Sequence, residues 1–337
     1  MPSKKKLSKN KSNDVTNLTS SKRNYSPRKF KFIDLFAGVG GMRLALEAAG
    51  GTCVFSSEWD IHAQKTYAAN FGEVPKGDIT KIKAKEIPEF DILSAGFPCQ
   101  PFSSFGKRDG FNHKTQGTLF FDVLRIIEAK RPSAFILENV KGLLNHDKGR
   151  TMETILGALD AAGYEVKYSV LNAADYGVPQ YRARVFIVGF KRSEFGIHND
   201  FYWPAPKNIK IGIGKFIEQG IDGYSISNHL QQAYIFKEKD GKPEVVTRKT
   251  NTPAKTLVAS YHKIQRLSGT FVKDGPTGLR LLTQSECKAM MGFPKTFQIP
   301  VSRTQMYRQM GNSVVVPVVL GIVREVIATF NSHQISK

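Results

Sequence analysis

One cysteine in this sequence stands where a nucleophile, rather than a core thiol, is expected. Cys99 lies in the stretch GFPCQP, between two prolines and directly after an apolar run. A thiolate is the most nucleophilic protein side chain, and nearby cations such as Lys107 and Arg108 raise its thiolate fraction. The other two cysteines, Cys53 and Cys287, fit the ordinary pattern of buried, inert thiols. We therefore interpret Cys99 as a nucleophile.

Acidic and basic partners for such a thiol follow further along the chain. Glu138 ends an apolar strand in FILENV, and a carboxyl in a dry pocket can keep its proton and donate it. Arg182 and Arg184 stand two residues apart at the entrance of another strand, where a guanidinium can anchor a carbonyl oxygen or a phosphate. Surface solvation is the alternative interpretation, and it suits Arg182 better than Arg184.

A thiol, an acid and an arginine together are suited to one reaction in particular, the methylation of carbon 5 of a pyrimidine. That carbon is too poor a nucleophile to take a methyl group unaided. Attack of Cys99 on carbon 6 creates an enamine, protonation of N3 by Glu138 favours the addition, and Arg184 holds the O2 edge. Methylation of an exocyclic amine needs no thiol.

The first ordered part of the sequence predicts a nucleoside-binding site. A strand leads into the glycine turn DLFAGVGG, which lacks the spacing of the dinucleotide fingerprint GxGxxG. Glu58 follows the second strand and can accept from ribose hydroxyls, while Asp78 follows a predicted third strand and can accept from an adenine amino group. Two acids without a basic residue favour S-adenosylmethionine over NAD. Simple helix capping by either acid is the alternative.

Alternating strands and helices must position these residues. Predicted strands and helices alternate from Lys31 to Phe190, which indicates an α/β fold with a doubly wound, mostly parallel sheet and ligands at the carboxyl ends of its strands. The interval 193–304 breaks this rhythm and predicts a smaller, irregular, β-rich domain. A last helix, from Ser313 to Phe330, is expected to return to the first domain. The expected division is a tail at 1–29, a catalytic domain at 30–192 plus 305–330, and the irregular domain between them.

Composition restricts the class of partner. The chain has 337 residues and a net charge of +20, and residues 1–31 hold ten basic residues and one acid. Such an excess favours nucleic acid over a membrane surface, although a basic tail can also serve only solubility. The cysteines and histidines show no metal-ligand spacing, so no metal is expected. No run was judged to approach a membrane span, which predicts a soluble, cytoplasmic protein.

Taken together, the motifs resemble the DNA (cytosine-5) methyltransferase family of bacterial restriction–modification systems. The resemblance extends from Phe32 to about Val319. It implies a base flipped out of the DNA and a loop after Cys99 that closes on the DNA. It also implies an S-adenosylmethionine pocket lined by Phe36, Gly38, Val39, Gly40, Glu58, Trp59, Asp78, Ile79, Pro98, Leu119, Asn312 and Ser313.

The same resemblance makes the irregular domain a target-recognition domain on double-stranded DNA. Within it, KTLVASYHK is similar to the family's short Thr-Leu element, although these residues could also serve only the shape of the domain. A cognate restriction endonuclease is the implied functional counterpart, and a monomer is expected. The candidate DNA contacts are Gln100, Ser103, Lys107, Arg108, Thr256, Tyr261, Lys263 and Gln265.

Three other functions remain open at this point. An RNA cytosine-5 methyltransferase would use the same residues, but about a hundred residues of recognition segment favour duplex DNA. A catalytically dead DNA-binding protein is disfavoured by the intact set of Cys99, Glu138 and Arg184. A nicotinamide dehydrogenase is disfavoured by the glycine spacing.

Overall fold

The computed structural model describes residues 28–98, 119–238 and 240–335. Within these ranges the strands are β1 (Phe30–Leu35), β2 (Gly51–Ser57), β3 (Ile92–Ala95), β4 (Ala134–Val140), β5 (Tyr164–Asn172), β6 (Ala183–Lys191), β7 (Glu244–Val246) and β8 (Thr270–Val272). The helices are α1 (Gly41–Ala48), α2 (Ile61–Phe71), α3 (Leu119–Lys130), α4 (Arg150–Ala161), α5 (Arg192–Phe195), α6 (Asn228–Leu230), α7 (Gln284–Met291), α8 (Arg303–Asn312) and α9 (Val316–Ile335).

The main sheet is mostly parallel, as the alternation of elements predicted. Its strand order is β2-β1-β3-β4-β6-β5. Strands β2, β1, β3 and β4 pair in parallel, whereas β6 runs antiparallel to both β4 and β5. The carboxyl ends of the first four strands therefore meet at one edge, and β6 begins at that same edge.

Side-chain alternation along the strands builds an apolar core on each face of this sheet. In β1, Phe32 belongs to the core cluster on one face and Ile33 to the cluster on the other, because successive strand residues point to opposite faces. Helices α1 and α9 cover the Phe32 face, and α3 and α4 cover the Ile33 face. Helices on both faces define the doubly wound arrangement.

Helix α9 is the most apolar segment of the chain. The stretch Arg303–Gln334, which contains it, is long and apolar enough to cross a membrane by length and composition alone. The expectation that no run approached a membrane span was therefore wrong on this criterion. However, 61% of the apolar window is buried inside the protein, and α9 packs against α1, as expected of a core helix.

The interval 193–304 is irregular, and it is packed onto the main sheet rather than set apart from it. Its regular strands among the described residues are β7 and β8, which pair in parallel. Phe271 of β8 belongs to the same buried cluster as Phe32 of β1. Residues 193–304 thus share one continuous apolar core with the sheet, and we call them the recognition segment after the role expected from the sequence.

Local capping explains where several helices begin and end. Asp60 caps α2, where its carboxylate accepts from the backbone N–H of His62 (2.8 Å), and Gly72 ends that helix in the left-handed conformation. The last helix begins at Val316 rather than Ser313, with Pro317 in its first turn. No regular strand lies between β2 and Asp78, an interval that is described in full. A single bridge between Ser57 and Lys76 stands where a third strand was predicted.

Asp34 in β1 is a carboxyl buried at the centre of the sheet. Its side chain is fully buried, and Oδ1 accepts from Ser94 Oγ of β3 (2.9 Å), whereas Oδ2 has no partner among the described residues. Burial raises the pKa of Asp34 to about 7, against the lowering effects of the Ser94 hydrogen bond and of Arg43. The folded protein therefore keeps a proton that the unfolded chain has already released.

We expect the Asp34→Asn variant to flatten the pH dependence of stability. The folded pKa is raised, so the contribution of the protonated carboxyl is complete below about pH 4 and is lost as pH rises through about 7. One such group changes the free energy of unfolding by up to about 1.4 kcal/mol per pH unit in that window. Urea denaturation between pH 4 and pH 8 measures the slope. Ser94→Ala keeps the titrating group and serves as the control that retains the slope; an identical slope in wild type and Asp34→Asn contradicts the assignment.

Candidate active site

A cavity of about 530 Å³ opens at the sheet edge where β1 to β4 end and β6 begins. It brings together most of the residues that the sequence singled out. The predicted residues on its wall are Phe36, Gly38, Val39, Glu58, Trp59, Asp78, Ile79, Pro98, Leu119, Glu138, Arg182, Arg184, Asn312 and Ser313.

Glu138 and Arg184 form a buried ion pair at one end of this cavity. Arg184 Nε lies 3.1 Å from Glu138 Oε1, and their side chains are 18% and 11% exposed. In the antiparallel register Glu138 is opposite Phe186, so Arg184 is its diagonal neighbour on the same face. Burial raises the pKa of Glu138, while the positive charges of Arg184 and then Arg182 oppose the rise. The site thus holds a carboxyl whose burial favours its protonated form, beside a cation.

Asn139 holds the turn that leads to Cys99. Its Nδ2 donates to the carbonyl oxygen of Phe97 (2.9 Å), and its Oδ1 accepts from the backbone N–H of Val140 (2.8 Å). Asn139 is 3% exposed, so both bonds lie in a dry environment. No role was predicted for Asn139 from the sequence. Its position beside Glu138 at a strand end was the available signal.

Glu58 organises the other end of the cavity. Its Oε2 accepts from the backbone N–H of Gly38 (2.8 Å), and its Oε1 accepts from the backbone N–H of Asp60 (2.8 Å). Burial raises the pKa of Glu58 against these two hydrogen bonds. Gly38 has φ of +55°, and a Cβ placed on it would meet no atom within 4 Å. Trp59 leaves 71% of its surface exposed beside this turn.

These features fit a nucleoside. A carboxylate has about four acceptor positions, so Glu58 can bind hydroxyls while it still holds the glycine turn. Trp59 offers an exposed aromatic face for a purine ring, as aromatic stacking requires. Asp78 also caps a short 3₁₀ helix, Ile79–Lys81, where Oδ1 accepts from the backbone N–H of Thr80 (3.0 Å). The capping interpretation therefore holds for Asp78, together with its place on the cavity wall.

Three predicted residues occupy positions that sequence reasoning did not foresee. Gly40 does not line the cavity, because it packs against Phe71 so closely that a Cβ would lie 2.2 Å from the ring. Arg182 is not solvated at the surface: it is 3% exposed and donates to backbone carbonyls. Tyr261 is 2% exposed and its hydroxyl is bonded to Thr270 O, so its side chain is a core group and not a groove contact.

The other predicted DNA contacts lie outside the cavity or outside the described residues. Thr256 is half-buried and its hydroxyl donates to Tyr181 O (2.6 Å). Lys263 and Gln265 are exposed. In the described part of the chain no group of three or more metal-binding side chains is present. The candidates outside the described residues are Cys99, Gln100, Ser103, Lys107 and Arg108.

A doubly wound sheet with a cavity at the carboxyl ends of its parallel strands defines the fold class of this protein. Solved structures share this fold: the Dnmt2 methyltransferase of S. pombe superposes with a TM-score of 0.73 over 90% of this chain and 99% of that chain. A Spodoptera frugiperda DNMT2 mutant gives a TM-score of 0.72 over 88% of this chain and 99% of that one. Both are 20% identical in sequence, so they show the fold alone.

Sequence comparison identifies the family within that class. The model of C-5 cytosine-specific DNA methylases matches residues 30–328. The chain is 56% identical over 313 residues to Type II methyltransferase M.MspI of Moraxella sp, covering 93% of this chain and 74% of that protein. It is also 56% identical over 296 residues to M.BsuFI of Bacillus subtilis, covering 87% and 71%. The chain belongs to the C-5 cytosine-specific DNA methylase family and is a DNA (cytosine-5) methyltransferase of the bacterial restriction–modification type.

We expect Asn139→Ala to destabilise the protein by about 1–3 kcal/mol, because Phe97 O would lose its buried donor. Asn139→Asp is the matched comparison: it keeps the acceptor for the Val140 N–H and removes the donor to Phe97 O. Chemical denaturation of both variants measures the loss of unfolding free energy. If Asn139→Asp is as stable as wild type, the bond to Phe97 O does not hold this turn.

Proposed function

We propose that this enzyme methylates carbon 5 of a cytosine within a specific DNA sequence, through a covalent adduct with Cys99. We further propose that this methylation protects DNA from a cognate restriction endonuclease. One observation carries the proposal: a single cavity is lined by Glu58 and Trp59 at one end and by Glu138 and Arg184 at the other. Two reactants bound at these two ends would therefore meet in one enclosed space.

S-adenosylmethionine is the cofactor that these residues fit. When bound, it supplies an electrophilic methyl group. The groups that would hold it are the Glu58 carboxylate, the Trp59 ring, the open space at Gly38 and the side chains at Asp78 and Asn312. The glycine turn DLFAGVGG lacks the GxGxxG spacing with which a dinucleotide's phosphates are usually bound.

The position of Pro98, which directly precedes Cys99 in the chain, supports Cys99 as the proposed nucleophile. Pro98 lines the cavity, and the carbonyl oxygen of Phe97 is fixed by Asn139. The next residue along the chain is therefore attached to an anchored turn at the edge of the site. A thiolate adding to carbon 6 of cytosine gives carbon 5 the enamine character that methyl transfer requires.

Glu138 and Arg184 are the proposed partners of that addition. Negative charge develops on the ring as the sulfur attacks, and a proton delivered to N3 by Glu138 neutralises it. Burial favours the protonated carboxyl, and Arg184 remains available to bind the O2 oxygen of the base. Once the methyl group is in place, a water molecule takes the carbon 5 proton and the thiolate leaves carbon 6. N3 then returns its proton to the Glu138 carboxylate, which restores the ring and frees Cys99.

Duplex DNA is the proposed substrate, with its target base flipped into the cavity. The Glu138 side chain is only 11% exposed on the cavity wall, so a base that remains stacked in a helix would not reach it and must leave the stack. Residues 205–215 and 247–255 contain six basic residues and no acid. These two stretches are joined by the bond from Ile213 N to Thr252 O (3.0 Å). Such a basic surface suits the phosphate backbone.

Bisulfite sequencing of a plasmid from cells that express the protein tests the proposal. We expect one short sequence to be protected at the same cytosine wherever it occurs, and no protection in cells that express Cys99→Ala. Cys99→Ala should still bind DNA, which a gel-shift assay checks. Methylation by Cys99→Ala would remove the covalent step. Transfer from labelled cofactor to bulk tRNA but not to DNA would instead favour an RNA substrate.

We expect Glu138→Gln to lower the rate of methyl transfer by roughly 10²–10⁴-fold, because an amide cannot deliver the proton to N3. Cofactor affinity should change little, since Glu138 lies at the Arg184 end of the cavity and not beside Glu58. Single-turnover rates and calorimetric titration with S-adenosylhomocysteine separate the two effects. A wild-type rate in this variant would exclude Glu138 from the mechanism.

A further inference from the structure

Arg182 is the most heavily bonded cation at the edge of the cavity, and its partners come from two distant segments. Its Nη1 donates to the carbonyl oxygen of Leu257 (2.9 Å), in the recognition segment. Its Nη2 donates to the carbonyl oxygens of Gly311 (2.9 Å) and Ser313 (2.8 Å), at the end of α8. One guanidinium therefore joins the recognition segment to the turn that borders the cofactor end of the cavity.

This buried charge is not explained by stability alone. Among the described residues no carboxylate pairs with Arg182, since Glu138 is engaged by Arg184. Burial, and then the neighbouring charge of Arg184, lowers the pKa of Arg182. A buried cation held only by carbonyl dipoles is costly. A planar fork that reaches three carbonyls is nevertheless a geometry that arginine provides and lysine does not.

The two segments joined by Arg182 also touch directly through their backbones. A Cβ on Gly311 would lie 2.2 Å from Ala259 N and 2.3 Å from the carbonyl carbon of Val258. No side chain can therefore fit between residues 258–259 and the end of α8. Because the two backbone segments pack directly against each other, a displacement of one segment must displace the other.

Residues 254–259, which we call the joint segment, are fixed at their other side to the residues before Arg182. Ala254 N donates to Pro179 O (2.9 Å), and Leu257 N donates to Gln180 Oε1 (2.7 Å). Thr256 Oγ1 adds a bond to Tyr181 O (2.6 Å). The joint segment is thus held between the start of β6 and the end of α8.

The far side of this contact is the cavity wall. Asn312 and Ser313, which follow Gly311, both line the cavity, and Ser313 O is itself a partner of Arg182. A shift of the recognition segment on DNA would therefore move the wall that the cofactor contacts. The converse also holds, because coupling between two binding sites is reciprocal.

We propose that Arg182 is a positioning residue that couples DNA binding to cofactor binding through the joint segment. This inference rests on the proposed function, since it assumes that the two ligands occupy the cavity and the recognition segment. This role requires no contact between Arg182 and either ligand. It acts by fixing Leu257, Gly311 and Ser313 relative to one another, so that a ligand favouring one arrangement favours the other site as well.

Calorimetry of the full-length protein tests the coupling without catalysis. S-adenosylhomocysteine is titrated into wild type and Arg182→Lys, each with and without a saturating duplex that carries the site mapped by bisulfite sequencing. We expect the duplex to tighten S-adenosylhomocysteine binding about tenfold in wild type, within the usual range of coupling between sites. In Arg182→Lys the two affinities should agree within about twofold, because a single ammonium cannot hold three carbonyls.

Arg266→Lys is the matched control. Arg266 is another buried arginine of the recognition segment, 4% exposed, and it donates to Asp240 Oδ2 (3.0 Å) and Ile235 O (3.0 Å) rather than to α8. This variant should lose stability yet keep the wild-type coupling. If Arg182→Lys does not fold, Thr256→Val loosens the joint segment more mildly and should reduce the coupling several-fold.

The possible outcomes separate this inference from the proposed function. If wild type binds S-adenosylhomocysteine and methylates DNA, and Arg182→Lys shows the same coupling as wild type, the inference about Arg182 is overturned but the proposed function stands. Wild type without any coupling also overturns the inference. Wild type that neither binds S-adenosylhomocysteine nor methylates DNA overturns the proposed function itself. Loss of coupling in Arg182→Lys with retention in Arg266→Lys supports the role of Arg182.

Discussion

The active site depends on one strand that runs against its neighbours. In an all-parallel sheet, the residues that begin a strand lie at the edge opposite the ligand site. Because β6 is antiparallel to β4, its first residues reach the edge where β4 ends, and Val140 pairs with Arg184. The same register places Arg184 diagonally across from Glu138. Reversal of this single strand brings the acid and the arginine together.

The two ends of the cavity use buried carboxyls in opposite ways. Glu58 accepts two backbone N–H bonds that favour its charged form, although burial still raises its pKa. For Glu138, burial raises the pKa, and the charges of Arg184 and then Arg182 oppose the rise. Glu58 is thus suited to hold a turn and to accept hydroxyls, whereas Glu138 is suited to exchange a proton.

Sequence patterns predicted the elements and most of the cavity wall, because these depend on local signals. The alternating fold and the acids at strand ends follow from the periodicity and order of the elements. The direction of β6 and the burial of Arg182 and Tyr261 depend on contacts between distant segments, which no local pattern encodes. The prediction that Gly40 lines the cofactor pocket was wrong for a related reason. A glycine turn indicates that another group packs close to the backbone, but not whether that group is a ligand or, as here, the ring of Phe71.

The shared core also determines how the recognition segment can move. A domain on a polar, hydrated interface would rotate as a unit and leave the cavity unchanged. Here Phe271 and Leu257 belong to the same apolar cluster as the sheet, so such rotation would expose buried surface. The remaining low-cost motions are small shifts along the existing contacts. One of those contacts is the backbone approach at Gly311, where a small shift would change the cavity wall formed by Asn312 and Ser313.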